Sequence, residues 1–291
     1  MKISRNNDAA APIDIWLLVF PHFLLLDATG PAQVFSTAND EARDAGRPLP
    51  YRIHLIAPGG GAVVSSSGIS VLTAALPRRS LAGATLIVAG GRCADLPTDA
   101  TLLRWIVRAS DAVARCCSVC TGAFVLARAG LLDGRRAVTH WKDVAQLRSE
   151  HSGVVTQDNE IYVSDGKFHT SAGISAGMDL ALSLVEQDLG RATALAVAKR
   201  MVFFLKRPGG QRQFSSEMLS HLPEQSVGGQ LAAWLRPRLR QEVDVVQMAG
   251  ACALSVRTLH RRLRQEIGVA PAQLLLRLRM ELACGLLNSR E

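Results

Sequence analysis

Short, largely apolar runs recur along the first half of the chain. Each is followed by a stretch whose apolar residues return every three or four positions. Ile13–Phe20 (IDIWLLVF), Tyr51–Ala57 (YRIHLIA), Thr85–Ala89 (TLIVA) and Val113–Val119 are brief and rich in branched aliphatics. Such runs predict buried strands. Pro58–Gly61 and Gly90-Gly91 punctuate two of them, and Val63–Val71 has the form of a hairpin about Ser67-Gly68. Residues 27–44, 99–114, 121–129 and 175–186 carry helical spacing, with a further helix expected over 194–205. Strand then helix, repeated, predicts an α/β fold with a mostly parallel sheet flanked by helices. Ligands of such sheets bind outside the carboxyl ends of the strands.

The pattern changes after residue 190. Arg207–Ser226 mixes Pro, Gly, Ser and Gln and is expected to be a linker. From Gly229 onward the spacing is helical, interrupted at Gly250, Gly268 and Pro271. The expected organisation is an α/β domain over 10–190, a linker helix and connector over 191–227, and a small all-α domain over 228–291.

Length and composition fit this division. A chain of 291 residues with 48% hydrophobic and 20% charged content can bury the cores of two domains. Charge separates the two parts. Residues 1–190 carry 17 Lys and Arg against 18 Asp and Glu, whereas residues 191–291 carry 16 against 7. The net charge of +8 therefore resides in the tail. A basic tail points to phosphate-rich partners, nucleic acid first, with a merely solvated basic face as the alternative.

Six cysteines give neither a disulfide framework nor a four-ligand metal pattern, so no metal and no cofactor are expected. Lys2 and Arg5 precede the apolar run Ile13–Leu26, but Asp14 and Pro21 interrupt it. It is read as a strand and a turn rather than a leader or a membrane span. A reducing cytoplasm is the expected compartment.

Three cysteines fall in RCCSVCTGAF, Arg115–Phe124. If Cys117–Val119 are extended, the Cα atoms of Cys117 and Cys120 stand roughly 10 Å apart, too far for a disulfide. Cys116 and Cys117 are expected to pack within a strand. Cys120 begins a helix, where free N–H groups favour a thiolate and can hold an oxyanion. Thr121-Gly122-Ala123 are small enough for a sharp elbow. A nucleophile also needs a base, and His140 in AVTHW is the candidate. Asp27 belongs to the same cleft. Packing roles for Cys120 and His140 remain the alternative on spacing alone.

In the tail, Val245–Ala251 is a short helix, Cys252–Leu254 a turn, and Ser255 an N-cap for a second helix. Val256, Leu259 and Leu263 form one apolar stripe, while Arg257, Arg261 and Arg264 repeat on another face beside His260. An apolar back and an arginine front suit a recognition helix. A solvated basic helix in a plain bundle is the other reading.

LLLDATGPAQVF (24–35), SVCTGAFVLARAGLLDGRRAVTHW (118–141) and TSAGISAGMDLALSLVE (170–186) resemble the ThiJ/PfpI, or class I glutamine amidotransferase-like, domain. They resemble most the sensor domain of GlxA-type AraC/XylS-family regulators. LSVRTLHRRLRQEIGVAPAQLLLRLRMELACGLL (254–287) is similar to the first helix-turn-helix of those regulators and its connecting helix. The resemblance implies a cytoplasmic, homodimeric regulator that binds double-stranded DNA and responds to a small-molecule effector. Asp27, Cys120, Thr121 and His140 would then line the effector pocket. Ser255, Arg257, Thr258, His260, Arg261 and Arg264 would face DNA. In the enzymes of the superfamily the elbow cysteine is the nucleophile, which keeps Cys120, His140 and Asp27 as catalytic candidates. The alternative is therefore a cysteine-dependent enzyme acting on a small carbonyl or amide substrate. Peptidases of the family place a histidine after the cysteine; Thr121 stands there instead and points away from that chemistry. The regulators' second helix-turn-helix has no counterpart before Glu291. Two expectations follow: either the chain is a truncated regulator with weak or no DNA binding, or it works with one reading head and binds weakly unless a dimer supplies another.

Overall fold

A computed structural model describes residues 11–203, 225–267 and 269–288. The chain divides into two compact units, Met1–Pro208 and Gly209–Glu291.

The first unit is built on an eight-stranded sheet. In chain order its strands are β1 (Ile13–Leu18), β2 (Tyr51–Ala57), β3 (Gly61–Val64), β4 (Ser70–Ala75), β5 (Thr85–Val88), β6 (Arg115–Val119), β9 (Tyr162–Asp165) and β10 (Phe168–Ser171). Between the last two groups, β7 (Arg136–Ala137) and β8 (Val155–Thr156) form a separate small pair. The spatial order is β3-β4-β2-β1-β5-β6-β10-β9. Neighbours are parallel except in the hairpins β3–β4 and β9–β10 at the two edges. The mostly parallel α/β sheet and the hairpin about Ser67-Gly68 are thus as expected.

The central strands are apolar on both faces because both faces are covered. Leu18, Leu86, Val88 and Cys116 pack on one side with α2 (Ala100–Ala112) and α3 (Gly122–Arg128). Ile15, Leu17, Ile87, Cys117 and Val119 pack on the other. That second layer holds α1 (Leu25–Asp44), α5 (Ser175–Leu189) and α6 (Arg191–Arg200). A short helix, α4 (Val144–Glu150), lies between β7 and β8.

Within the apolar run Ile13–Leu26 the expected strand and turn are present, and two helix starts shift. The chain turns at Pro21-His22, with His22 at φ 63°, and α1 begins at Leu25, so Asp27 lies in the first turn of a helix. The helix expected over 194–205 starts earlier, at Arg191. It buries Ala194, Val197 and Ala198 against the α1 and α5 layer, so it is packed into the first unit rather than lying in a connector. Most of the linker expected over 207–226 falls outside the described residues.

The second unit contains α7 (Val227–Leu235), α8 (Val245–Ala251), α9 (Val256–Ile267) and α10 (Pro271–Asn288). Leu231, Leu235, Met248, Leu259, Leu263, Leu274 and Leu278 form its buried core. On α10, Leu274 and Leu278 are buried and Leu282 is half-buried. Among the described residues no helix is long and apolar enough to cross a membrane.

Candidate functional sites

Cys120 stands between β6 and α3 at φ 55°, a left-handed conformation that costs about 1–3 kcal/mol and persists only where neighbours enforce it. The enforcing bonds are visible. The Cys120 N–H donates to Ser171 O at 3.0 Å, and Thr139 Oγ1 donates to Cys120 O at 3.0 Å. The elbow itself is tied to the segment after β5. Thr121 Oγ1 donates to Gly91 O at 2.6 Å and accepts from Gly91 N at 2.8 Å, which occupies its proton and a lone pair. Two glycines make room. A Cβ on Gly90 would lie 2.7 Å from Asp27 Oδ2, and one on Gly173 would lie 2.7 Å from Cys120 Sγ.

Asp27 is fully buried beneath the elbow. Its Oδ2 accepts from Gly90 N at 3.1 Å and its Oδ1 from Ile174 N at 3.0 Å. Burial pushes its carboxyl up to about 6, against the pull of these two N–H groups and of His140. The site therefore holds a carboxyl that exchanges its proton slightly below neutrality.

The thiolate expectation for Cys120 is corrected by this environment. Burial, then the nearby Asp27, push the Cys120 thiol well above its ordinary range. The Thr121 N–H acts in the opposite sense and loses. A buried group beside a carboxylate stays protonated because both effects penalise the anion. Cys116 and Cys117 are inert packing residues on opposite faces of β6, and every described cysteine is free.

His140 follows β7 and is half-buried. Its Nδ1 lies 3.6 Å from Asp143 Oδ2, and its ring is tilted against Trp141 at 5.6 Å between centroids. Among the described residues no hydrogen bond joins it to Cys120. The structure thus brings Asp27, Cys120, Thr121 and His140 together at the carboxyl ends of β1, β5 and β6, with the first three buried. It does not assemble a thiol–imidazole pair.

Cys93 and its partner Asp143, both close to Cys120, escaped sequence reasoning. Cys93, in the short turn after Gly90-Gly91, has its thiol bonded to Asp143. Burial and that carboxylate push it up to about 11. The signal was available: a Gly-Gly break after a buried strand marks a carboxyl-end loop, and Cys93 follows two residues later.

In the second unit, Asp244 and Gln247 form a capping box that starts α8. The turn before α9 holds Ala253 at φ 52°. Ser255 caps α9, accepting from Thr258 N at 3.2 Å, and its hydroxyl meets Thr258 Oγ1 at 2.9 Å. Glu266 Oε2 accepts from Gly228 N at 3.0 Å, which fastens the end of α9 to the start of α7. Leu259 and Leu263 are fully buried, while Arg257, Arg261 and Arg264 are exposed and His260 is half-exposed. At 100° per residue these three arginines share one face, turned away from the two leucines, with His260 at its edge. Arg262, also exposed, extends the charge to the flank.

Comparison with known proteins follows the same division. Residues 14–187 match the model of the DJ-1/PfpI family. The HTH-type transcriptional regulator CdhR of Pseudomonas aeruginosa is 28% identical over 280 residues, covering 96% of this chain and 81% of that protein. Isonitrile hydratase of Pseudomonas putida is 32% identical over 193 residues, 66% of this chain and 78% of the enzyme. The crystal structure of an AraC family transcriptional regulator from Pseudomonas putida superposes with a TM-score of 0.57 at 23% identity, covering 65% of this chain and all of that one. This last likeness is one of fold. The chain belongs to the DJ-1/PfpI family, its domain followed here by a small helix-turn-helix unit, and it resembles an HTH-type transcriptional regulator over nearly its whole length.

Proposed function

We propose that the protein is a DNA-binding transcriptional regulator whose first unit senses a small metabolite. The observation that carries the reading is α9, a helix with a buried leucine back and an exposed front of Arg257, Arg261 and Arg264. Ser255, Thr258 and His260 complete the face offered to the major groove. Relatives named as transcriptional regulators extend across both units, which supports the same reading. The effector cleft is the one around Asp27, Cys120, Thr121 and His140. A homodimer acting in the cytoplasm would present two such helices to double-stranded DNA.

The cleft supports sensing better than turnover. A protonated thiol and an imidazole turned to Asp143 rather than to the thiol are poor nucleophilic machinery, whereas a buried, titratable carboxyl held by two backbone N–H groups is a good recognition point. The elbow conformation of Cys120 and the likeness to isonitrile hydratase favour a second reading, a cysteine-dependent enzyme acting on a small carbonyl or amide substrate. DNA-binding anisotropy with the full chain and the DNA upstream of its own gene tests the first reading. Binding that falls with salt and is lost in Arg257→Ala/Arg261→Ala supports it. Salt-independent binding, or binding unchanged in that variant, rules it out.

A further inference from the structure

A second recess lies on the other side of the first unit. It is a cavity of about 510 Å³ between residues 76–81 and the C-terminal half of α2. Arg79 reaches Asp14 near the start of β1, at 3.6 Å, and α2 ends just ahead of β6. The recess is therefore toward the amino ends of the strands, away from Cys120. Its floor is apolar, with Leu76, Leu81, Ala109 and the Trp105 ring. Its rim is cationic, with Arg78, Arg79 and Arg108. No acidic residue lines it among the described residues.

The three arginines are not equivalent. Arg79 is partly neutralised by Asp14, and its guanidinium lies over the Trp16 ring at 5.5 Å. Arg78 and Arg108 have no ion-pair partner among the described residues. The walls are held together, because the Trp105 Nε1–H donates to Pro77 O at 3.1 Å and ties helix to loop. Two unpaired guanidinium forks above a braced apolar floor match a ligand with an anionic head and a small apolar body. Guanidinium binds planar carboxylate or tetrahedral phosphate through paired hydrogen bonds.

We propose that this recess binds an organic anion, a carboxylate or phosphate on a compact apolar group, at a site separate from the Asp27–Cys120 cleft. Calorimetry on the full chain with benzoate, phenyl phosphate and uncharged benzyl alcohol tests it, with Trp105 fluorescence as the local readout. At least one anion should bind at least about tenfold more tightly than the alcohol; which anion binds identifies the head group. Arg78→Gln/Arg108→Gln should weaken that anion about tenfold or more, and Arg108→Gln alone should weaken it less. Both substitutions fall on exposed, unpaired side chains, so the melting temperature should not move, which a circular dichroism melt checks. Asp27→Asn should leave the binding intact. Equal binding of alcohol and anions, no binding of either anion, or unchanged affinity in the double variant would overturn the proposal.

Discussion

The Ile174 N–H donates to Asp27 Oδ1 at 3.0 Å, joining residues 147 apart in the chain. Ile174 is itself at φ 42°, so the donor is aimed by a strained backbone that only the folded sheet can hold. The bond links the first turn of α1 to the entry of α5. It makes the carboxyl of Asp27 a reporter of both.

That carboxyl sets a pH dependence of stability. Its folded value is raised to about 6 from 3.8, so the folded state holds the proton more tightly than the unfolded chain. The stabilisation is fully present below about pH 4 and is lost as pH rises through about 6, in total about 3 kcal/mol. Asp27→Asn should abolish this slope between pH 4 and 6. Urea denaturation at a series of pH values checks it; an unchanged slope in the variant would show that another group titrates.

Thiol chemistry offers a second check. Cys120 should react slowly with iodoacetamide at pH 7.5 and accelerate only well above pH 8.5, the ordinary thiol range. Asp27→Asn removes the adjacent negative charge and should speed it. Peptide mapping by mass spectrometry separates Cys120 from Cys93. Rapid modification of Cys120 at neutral pH would contradict its protonated state.

Gly173→Ala should destabilise the first unit by about 2–4 kcal/mol, since the new methyl meets Cys120 Sγ at a left-handed backbone position. Cys120→Gly in the same chain should recover part of the loss, because it removes the sulfur. Thermal or denaturant midpoints measure both.

On DNA, Arg257→Ala and Arg264→Ala should each either lower the salt slope by about one or relax the preference at one base. The first outcome marks a phosphate contact and the second a base contact. Leu259→Ala should instead cost about 2–5 kcal/mol of stability, being fully buried. A competition titration against mismatched duplexes distinguishes these cases.

Much of this arrangement was legible in the residues. Strands β1, β2, β5 and β6 announced themselves because a parallel sheet covered on both faces needs unbroken apolar runs. Ser255, Leu259, Leu263 and the arginine front of α9 were readable because helical period alone sorts them. The helix expected from Asp27 begins two residues earlier, because Leu24-Leu25-Leu26 reads as a continuation of the apolar run past the true turn. The edge hairpin β9–β10 was missed, since its sequence YVSDGKFHTS is largely polar, although Asp165-Gly166 is a recognised hairpin dipeptide. The bond from Ile174 to Asp27 and the approach of Cys93 to Asp143 depend on tertiary closure, which no local pattern records.

The facing pair of Cys120 and Gly173 limits how this corner can change over evolutionary time. A Cβ on Gly173 would meet the Cys120 sulfur, so neither position can grow unless the other gives way. On the reading proposed above, new ligand preferences must arise from residues around the pair, and related regulators with different effectors are expected to keep the pair and differ there.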